Sequence, residues 1–130
     1  MYIQTLKFIL VFSFIFFLAA GCSKETKPPQ NPTACPQIYA EVKIALKDSS
    51  FDPSSLNIKK CTKVVFQNLG EKEHWPASDL HPTHGIYPEF DPQKPIAPNA
   101  EWSFVFEKNG SWKFHDHLNA QIRGIITVEN

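Results

Sequence analysis

The sequence has little with which to hold nucleic acid and little from which to build helices. Its 130 residues carry 13 basic and 13 acidic side chains, so the chain offers no large field of one sign to a polyanion. Nucleic-acid binding is excluded on that ground. One methionine and few helix-favouring runs stand against eleven prolines, an imbalance that predicts short strands and rigid loops rather than a helical bundle. Catalytic signatures are also missing. There is no Gly-x-Ser-x-Gly segment, no His-Glu-x-x-His segment and no phosphate-cradling glycine loop, so no enzyme is expected. Internal repeats are absent. What is present, 42% hydrophobic residues against 20% charged ones, excludes a wholly disordered chain, and the length allows one compact domain.

Residues 1–21 contain Lys7, an apolar run from Phe8 to Phe17, and the small residues Ala19, Ala20 and Gly21 ahead of Cys22. A basic start, an apolar middle and small residues before a cut site describe a secretory signal peptide. The apolar run is shorter than the roughly 20 residues a membrane span needs. Leu18-Ala-Ala-Gly-Cys22 resembles the bacterial lipobox, which implies cleavage after Gly21 and a diacylglycerol on the Cys22 sulfur. The alternative is an ordinary signal peptide in which Cys22 is incidental. Acyl chains stabilise bilayer attachment by about 0.8 kcal/mol per buried CH₂, so the expected location is extracytoplasmic, at the surface of a lipid bilayer. In a cell that has an outer membrane, Ser23 rather than Asp after the lipidated cysteine resembles the sorting pattern for that membrane, facing the periplasm. Residues 22–36 are polar and carry Pro28, Pro29, Pro32 and Pro36, which predicts a flexible tether. The folded domain is expected over 37–130.

With Cys22 lipidated, Cys35 and Cys61 remain as a pair in an oxidising compartment. A disulfide between them is the first expectation, worth on the order of 3 kcal/mol through loop closure. Two free or metal-binding thiols are the alternative, because counting cysteines does not show that they meet.

Alternation of period two marks the strands. Ile38, Ala40, Val42, Ile44 and Leu46 share one face of the first. Leu56 and Ile58 form a second after the turn at Asp52-Pro53-Ser54, and Val64-Val65-Phe66 a third. Residues 75–78 extend briefly. Trp102, Phe104 and Phe106 mark a fifth strand, Trp112, Phe114 and Asp116 a sixth, and residues 125–129 the last. Asn109-Gly110 predicts a hairpin between the fifth and sixth. Short strands punctuated by turns predict an all-β, Greek-key β-sandwich. Residues 79–99 carry Pro82, Pro88, Pro92, Pro95 and Pro98 with the apolar anchors Leu80, Ile86, Tyr87, Phe90 and Ile96. They predict an ordered loop packed over one end of the sandwich.

All five histidines fall in two segments, His74, His81 and His84 in one, His115 and His117 in the other. Neutral imidazole is a common transition-metal ligand, and His115-Asp116-His117 places two imidazoles about 6–7 Å apart on one side of an extended strand. Ordinary surface histidines are the alternative.

Residues 38–130 resemble a cupredoxin-like domain of the secreted bacterial kind seen in EfeO-type iron-uptake proteins. The resemblance rests on Phe51-Asp-Pro-Ser-Ser-Leu-Asn-Ile58, on Val64-Val-Phe-Gln-Asn68 leading to His74, on Gly110-Ser-Trp-Lys-Phe-His-Asp-His117 and on Arg123-Gly-Ile-Ile-Thr-Val128. It implies that His74 stands at the first ligand position of a type 1 copper site. Asp116 then stands where the thiolate should be, Asn119 near the second His and Ile122 near the Met. The thiolate supplies the colour and the one-electron path of blue copper, so an electron carrier is not expected. His115-Asp116-His117 also resembles the His-x-His segments of multicopper oxidases, but one segment in one domain does not build their trinuclear cluster.

The resemblance therefore implies a departed cupredoxin with nitrogen and oxygen donors. His74, Asp116 and His117 are the first-choice ligands, His84 and His115 the next, and Glu89 and Asp91 possible carboxylate additions. Asp116 has a structural alternative, accepting backbone N–H bonds in its own loop. His81 is expected at the surface or behind a ligand, and Trp75 is expected to pack the pole, with stacking on a ligand as the alternative. Copper is the first metal by affinity order, with iron or zinc as alternatives. The predicted work is metal handling or delivery to a metal-transport or metal-accepting protein. The competing expectation is a metal-free interaction module that uses the 79–99 loop.

Overall fold

The structure is a computed structural model that describes residues 35–130. The expected signal peptide, Cys22 and the expected tether up to residue 34 lie outside the described residues. Two four-stranded sheets face one another. The first has the order β2-β1-β4-β6, from β1 (Ala40–Lys47), β2 (Ser50–Asp52), β4 (Thr62–Asn68) and β6 (Glu101–Val105). The second has the order β3-β8-β7-β5, from β3 (Ser55–Lys59), β5 (Pro76–Ser78), β7 (Gly110–Asp116) and β8 (Asn119–Glu129). The chain passes from one sheet to the other at every connection from β2 to β7, so the expected β-sandwich is found.

The period-two pattern explains which faces meet. In β1, Ile44 and Leu46 are fully buried and Val42 partly, while Ile38 lies ahead of the strand and stays exposed. β4 is flanked by β1 and β6, and its Val64-Val65-Phe66 run is buried throughout. Phe51 of β2 stacks on Phe114 of β7 with ring centroids 4.8 Å apart, joining the sheets across the core. The expected Cys35–Cys61 disulfide is formed and ties the start of the domain to the turn between β3 and β4.

Two elements depart from the expectation. β8 begins at Asn119 rather than near residue 125, because Gly124 interrupts its apolar alternation without interrupting the strand. A Cβ at Gly124 would lie 2.4 Å from the Phe114 ring, so the missing side chain is where that ring sits. The hairpin predicted at Asn109-Gly110 is instead an arch between sheets: β6 pairs with β4, while β7 pairs with β8 and β5. Trp102, Phe104, Phe106, Trp112 and Phe114 all present apolar rings to one core. An arch lets them meet across it, whereas a hairpin would crowd them onto one sheet.

Loop 79–99 is ordered, and it closes the flank between edge strands β5 and β6. Phe90 is fully buried, with its ring 5.1–5.9 Å from those of Phe66, Trp102, Phe104, Phe106 and Phe114. Tyr87 and Ile96 are buried too, but the expected anchors Leu80 and Ile86 are exposed. They occupy outward positions of a loop whose inward contacts are made by Tyr87 and Phe90 and by Ser78 Oγ, which donates to the His84 and Tyr87 carbonyls at 2.7 and 3.0 Å.

Candidate metal centre

Side-chain alternation along β7 separates two groups that are adjacent in sequence. Phe114 and Asp116 face the core between the sheets, and His115 points from the opposite face. Asp116 meets His74 inside. Its Oδ2 lies 2.6 Å from His74 Nδ1, and its Oδ1 accepts from the Trp75 and Leu118 amides at 2.9 and 3.1 Å. Both side chains are at most 2% exposed. His74 Nε2 has no hydrogen-bond partner, and the nearby Asp48 carboxylate, 4.0 Å away, takes the Glu71 and Lys72 amides instead.

The expected grouping of His74 and Asp116 with His117 is therefore not found. Both oxygens of Asp116 are engaged, Oδ1 by the Trp75 and Leu118 amides and Oδ2 by His74, so the carboxylate organises the pole. A type 1 copper site does not fit here either: His74 Nδ1 is spent on Asp116, the only methionine is Met1, and Cys35 and Cys61 are bonded to each other.

The other four histidines converge on the far side of β7. His115 is completely buried under the loop, and its Nε2 lies 3.1 Å from His81 Nδ1. His84 Nε2 lies 2.9 Å from His117 Nδ1. One ring nitrogen each from His81, His115 and His117 falls within a 4.8 Å set. The rings are also in contact, His81 with His117 at 4.8 Å and His84 with His115 at 5.5 Å between centroids.

Two carboxylates stand behind this cluster. His115 Nδ1 is 2.8 Å from Asp79 Oδ1, and His84 Nδ1 is 2.7 Å from Asp91 Oδ2. An ionised carboxylate only accepts, so each pairing puts the ring proton on Nδ1 and turns the Nε2 lone pair toward the other imidazoles. Asp79 is also reached by Arg123 at 3.3 Å, and Asp91 accepts from Trp75 Nε1 at 2.7 Å and from the Gln93 amide at 2.7 Å. Glu89 does not join; it pairs with Lys108 at the surface.

Electrostatics favour neutral rings. Burial pushes the His115 imidazole below its ordinary value, against the pull of Asp79, and the neighbouring His84 and His81 add to the depression. Burial also lowers His117, again with His84 and His81 contributing. Burial raises Asp91, but hydrogen bonds from Trp75, the Gln93 amide and His84 outweigh it, and the carboxyl lies below its usual range. A neutral imidazole is the form that binds a metal ion, and the depression at His115 and His117 favours it.

His81 is the member that sequence reasoning placed outside the site. The available signal was the confinement of all histidines to two segments; what separates His74 from the rest is the face of β7 on which each partner lies. Trp75 packs the pole and also lies on a histidine: its ring centroid is 4.7 Å from that of His117, and its indole N–H holds Asp91.

A family model described as a cupredoxin-like domain matches residues 9–128. No curated protein matches the chain. Among solved structures, a reduced amicyanin mutant is 17% identical, aligned over 68% of this chain and 82% of that one with a TM-score of 0.60. A purple cupredoxin from Nitrosopumilus maritimus is 21% identical over 67% of this chain and 98% of that one, with a TM-score of 0.59. A mutant plastocyanin of fern is 19% identical over 68% and 100%, with a TM-score of 0.56. At these identities the likeness is one of fold.

Proposed function

The chain belongs to the cupredoxin-like domain family, and from that premise we propose that it holds a transition-metal ion outside the cytoplasm for handling or delivery. Copper is the first choice. The observation that carries this reading is the convergence of ring nitrogens from His81, His115 and His117 within 4.8 Å, on the face of β7 opposite the core. A nitrogen-only donor set lacks the thiolate of an electron carrier, so the ion is cargo here rather than a redox relay. An acylated Cys22 anchors the domain to a bacterial membrane, and the tether to residue 36 lets it reach a partner.

The residues divide the work by exposure. His115 is buried and fixed by Asp79, so it retains the ion. His81 is exposed, so it is the ligand that a metal-accepting protein displaces first.

The test is the metal content of the purified protein, measured by mass spectrometry after equilibration with copper, zinc or ferrous iron and dialysis. Retention of bound metal, lost in His115→Ala, is the expected result. If the protein retains none of the three, the reading fails. The exposed Leu80 and Ile86 on loop 79–99 would then favour a metal-free interaction surface.

A further inference from the structure

His84 contributes no nitrogen to the converging set of His81, His115 and His117, yet it is held from both its backbone and its ring. Its φ of 51° lies in the left-handed region that favours glycine. Its amide donates to the Leu80 carbonyl at 2.6 Å, and its carbonyl accepts from Ser78 Oγ at 2.7 Å. The side chain is buried even though it springs from a loop. Its Nδ1 lies 2.7 Å from Asp91 Oδ2 and its Nε2 lies 2.9 Å from His117 Nδ1, so both ring nitrogens make hydrogen bonds.

Counting protons fixes the direction of both bonds. An aspartate, with an ordinary value of about 3.9, is ionised at neutral pH and can only accept. Asp91 also accepts from Trp75 Nε1 and from the Gln93 amide, each at 2.7 Å. The His84 proton therefore sits on Nδ1. A ring with one proton then offers only a lone pair at Nε2, so the 2.9 Å bond takes its proton from His117 Nδ1. His117 in turn keeps its own lone pair on Nε2. One tautomer is passed from Asp91 through His84 to His117, and His84 has no lone pair left for an ion.

Trp75 ties the two ends together. Its indole N–H grips Asp91, and its ring lies on His117 with centroids 4.7 Å apart. We propose that Asp91 and His84 are positioning residues that fix His117 as its Nδ1–H tautomer and so reserve its Nε2 lone pair for a bound ion. This rests on the reading that His81, His115 and His117 bind metal, and names what prepares one of the three ligands. The same count along Asp79, His115 and His81 puts the His81 proton on Nδ1, but there the 3.1 Å bond joins two members of the set. That bond gives way when His115 Nε2 takes an ion. The His84–His117 bond occupies no nitrogen that coordination needs.

Long-range proton–nitrogen NMR of the purified, nitrogen-labelled protein reads which ring nitrogen of each histidine carries the proton. The sample is kept metal-free with chelator at about pH 8, where histidines carry one proton each. In the unmodified protein His84 and His117 are both expected to carry it on Nδ1. Asp91→Ala removes the acceptor, and the His117 signal should leave that pattern although Asp91 makes no hydrogen bond to His117. His84→Asn should release His117 in the same way, because asparagine tolerates a left-handed backbone but lacks the far nitrogen. Asp79→Asn should leave the His117 tautomer unchanged. Copper affinity, from competition with a chelator, should fall about 10–100-fold in Asp91→Ala and His84→Asn.

Circular dichroism confirms that each variant is folded before its spectrum is read. A proton on Nε2 of His117 in the unmodified protein would overturn the proposal without recourse to any variant. So would an Nδ1–H signal at His117 that survives both Asp91→Ala and His84→Asn. Neither result touches metal binding itself, which is read separately from the metal retained. The expected tautomers in a protein that retains no copper, zinc or ferrous iron would overturn the metal reading, and the positioning role with it.

Discussion

A single carboxylate shows how much rests on one side chain in this protein. Asp116 accepts two amides and meets His74, all within a site that is about 1% exposed. Asp116→Ala leaves those donors without partners and is expected to cost about 2–5 kcal/mol in a urea melt, since each buried unsatisfied group costs about 1–3 kcal/mol. His74→Gln, which can still donate to Asp116, should cost less, and the difference between the two melts measures what the backbone amides contribute. Equal losses would mean that the His74 contact dominates. Gly124 makes the opposite case, in which an absent side chain matters. Gly124→Ala places a methyl 2.4 Å from the Phe114 ring and 2.9 Å from the Ser54 carbonyl, and overpacking of that kind costs about 1–3 kcal/mol. A melt unchanged from the parent protein would show that the ring moves freely aside.

At the level of elements, loop 79–99 is both a wall of the core and the bearer of two of the four clustered histidines. Phe90 seats it against both sheets, so Phe90→Ala is expected to lower stability by about 3–5 kcal/mol, as for other large-to-small changes at full burial. Leu80 is 63% exposed, and Leu80→Ala should change stability by less than about 0.5 kcal/mol. Thermal melts of both variants check the contrast, and a large loss at Leu80 would contradict the placement of the loop. The loop's role in the site was only half legible. Its prolines and aromatic residues mark it as ordered, but nothing local says that burying Tyr87 and Phe90 turns His81 and His84 toward β7. That turn follows from where strands β5 and β6 leave the sandwich open, which is a property of pairing between distant segments. The strands were more legible, because each carries its own period-two pattern. The arch at Asn109-Gly110 was not, since a turn signal describes a local bend and not the sheet to which the next strand belongs.

For the whole molecule, the shifted histidines make stability depend on pH. His115 and His117 lie below the ordinary 6.5 when folded, so near that pH the unfolded chain binds more protons than the folded one. Their contribution is intact above about 6.5 and is lost as the pH falls through the unfolded value toward the lower folded ones. Asp91 acts in a lower window: its folded value lies under 3.8, so its contribution is present above that pH and disappears as the pH falls further. With chelator present, the melting temperature should hold steady from about pH 8 to 7 and decline between about pH 6.5 and 5. His115→Gln should flatten part of that decline. A melting temperature level across the whole range would contradict neutral, buried imidazoles.

The amino-acid sequence by itself determined what depends on neighbours along the chain. Alternation specified the strands and their buried faces, cysteine parity named the disulfide, and the donor inventory excluded a thiolate copper site at the pole. Tertiary structure decided which histidines meet. His115, Asp116 and His117 are consecutive, yet the pleat sends Asp116 into the core toward His74 and His115 out toward the loop. The partners waiting on each side, His74 on one and His81 and His84 on the other, arrive from residues more than thirty positions away, as the separations of 42 and 34 in their hydrogen bonds show. Side-chain direction is written in the local pattern; the identity of what lies opposite is set by packing, and that is why the cluster had to be seen folded.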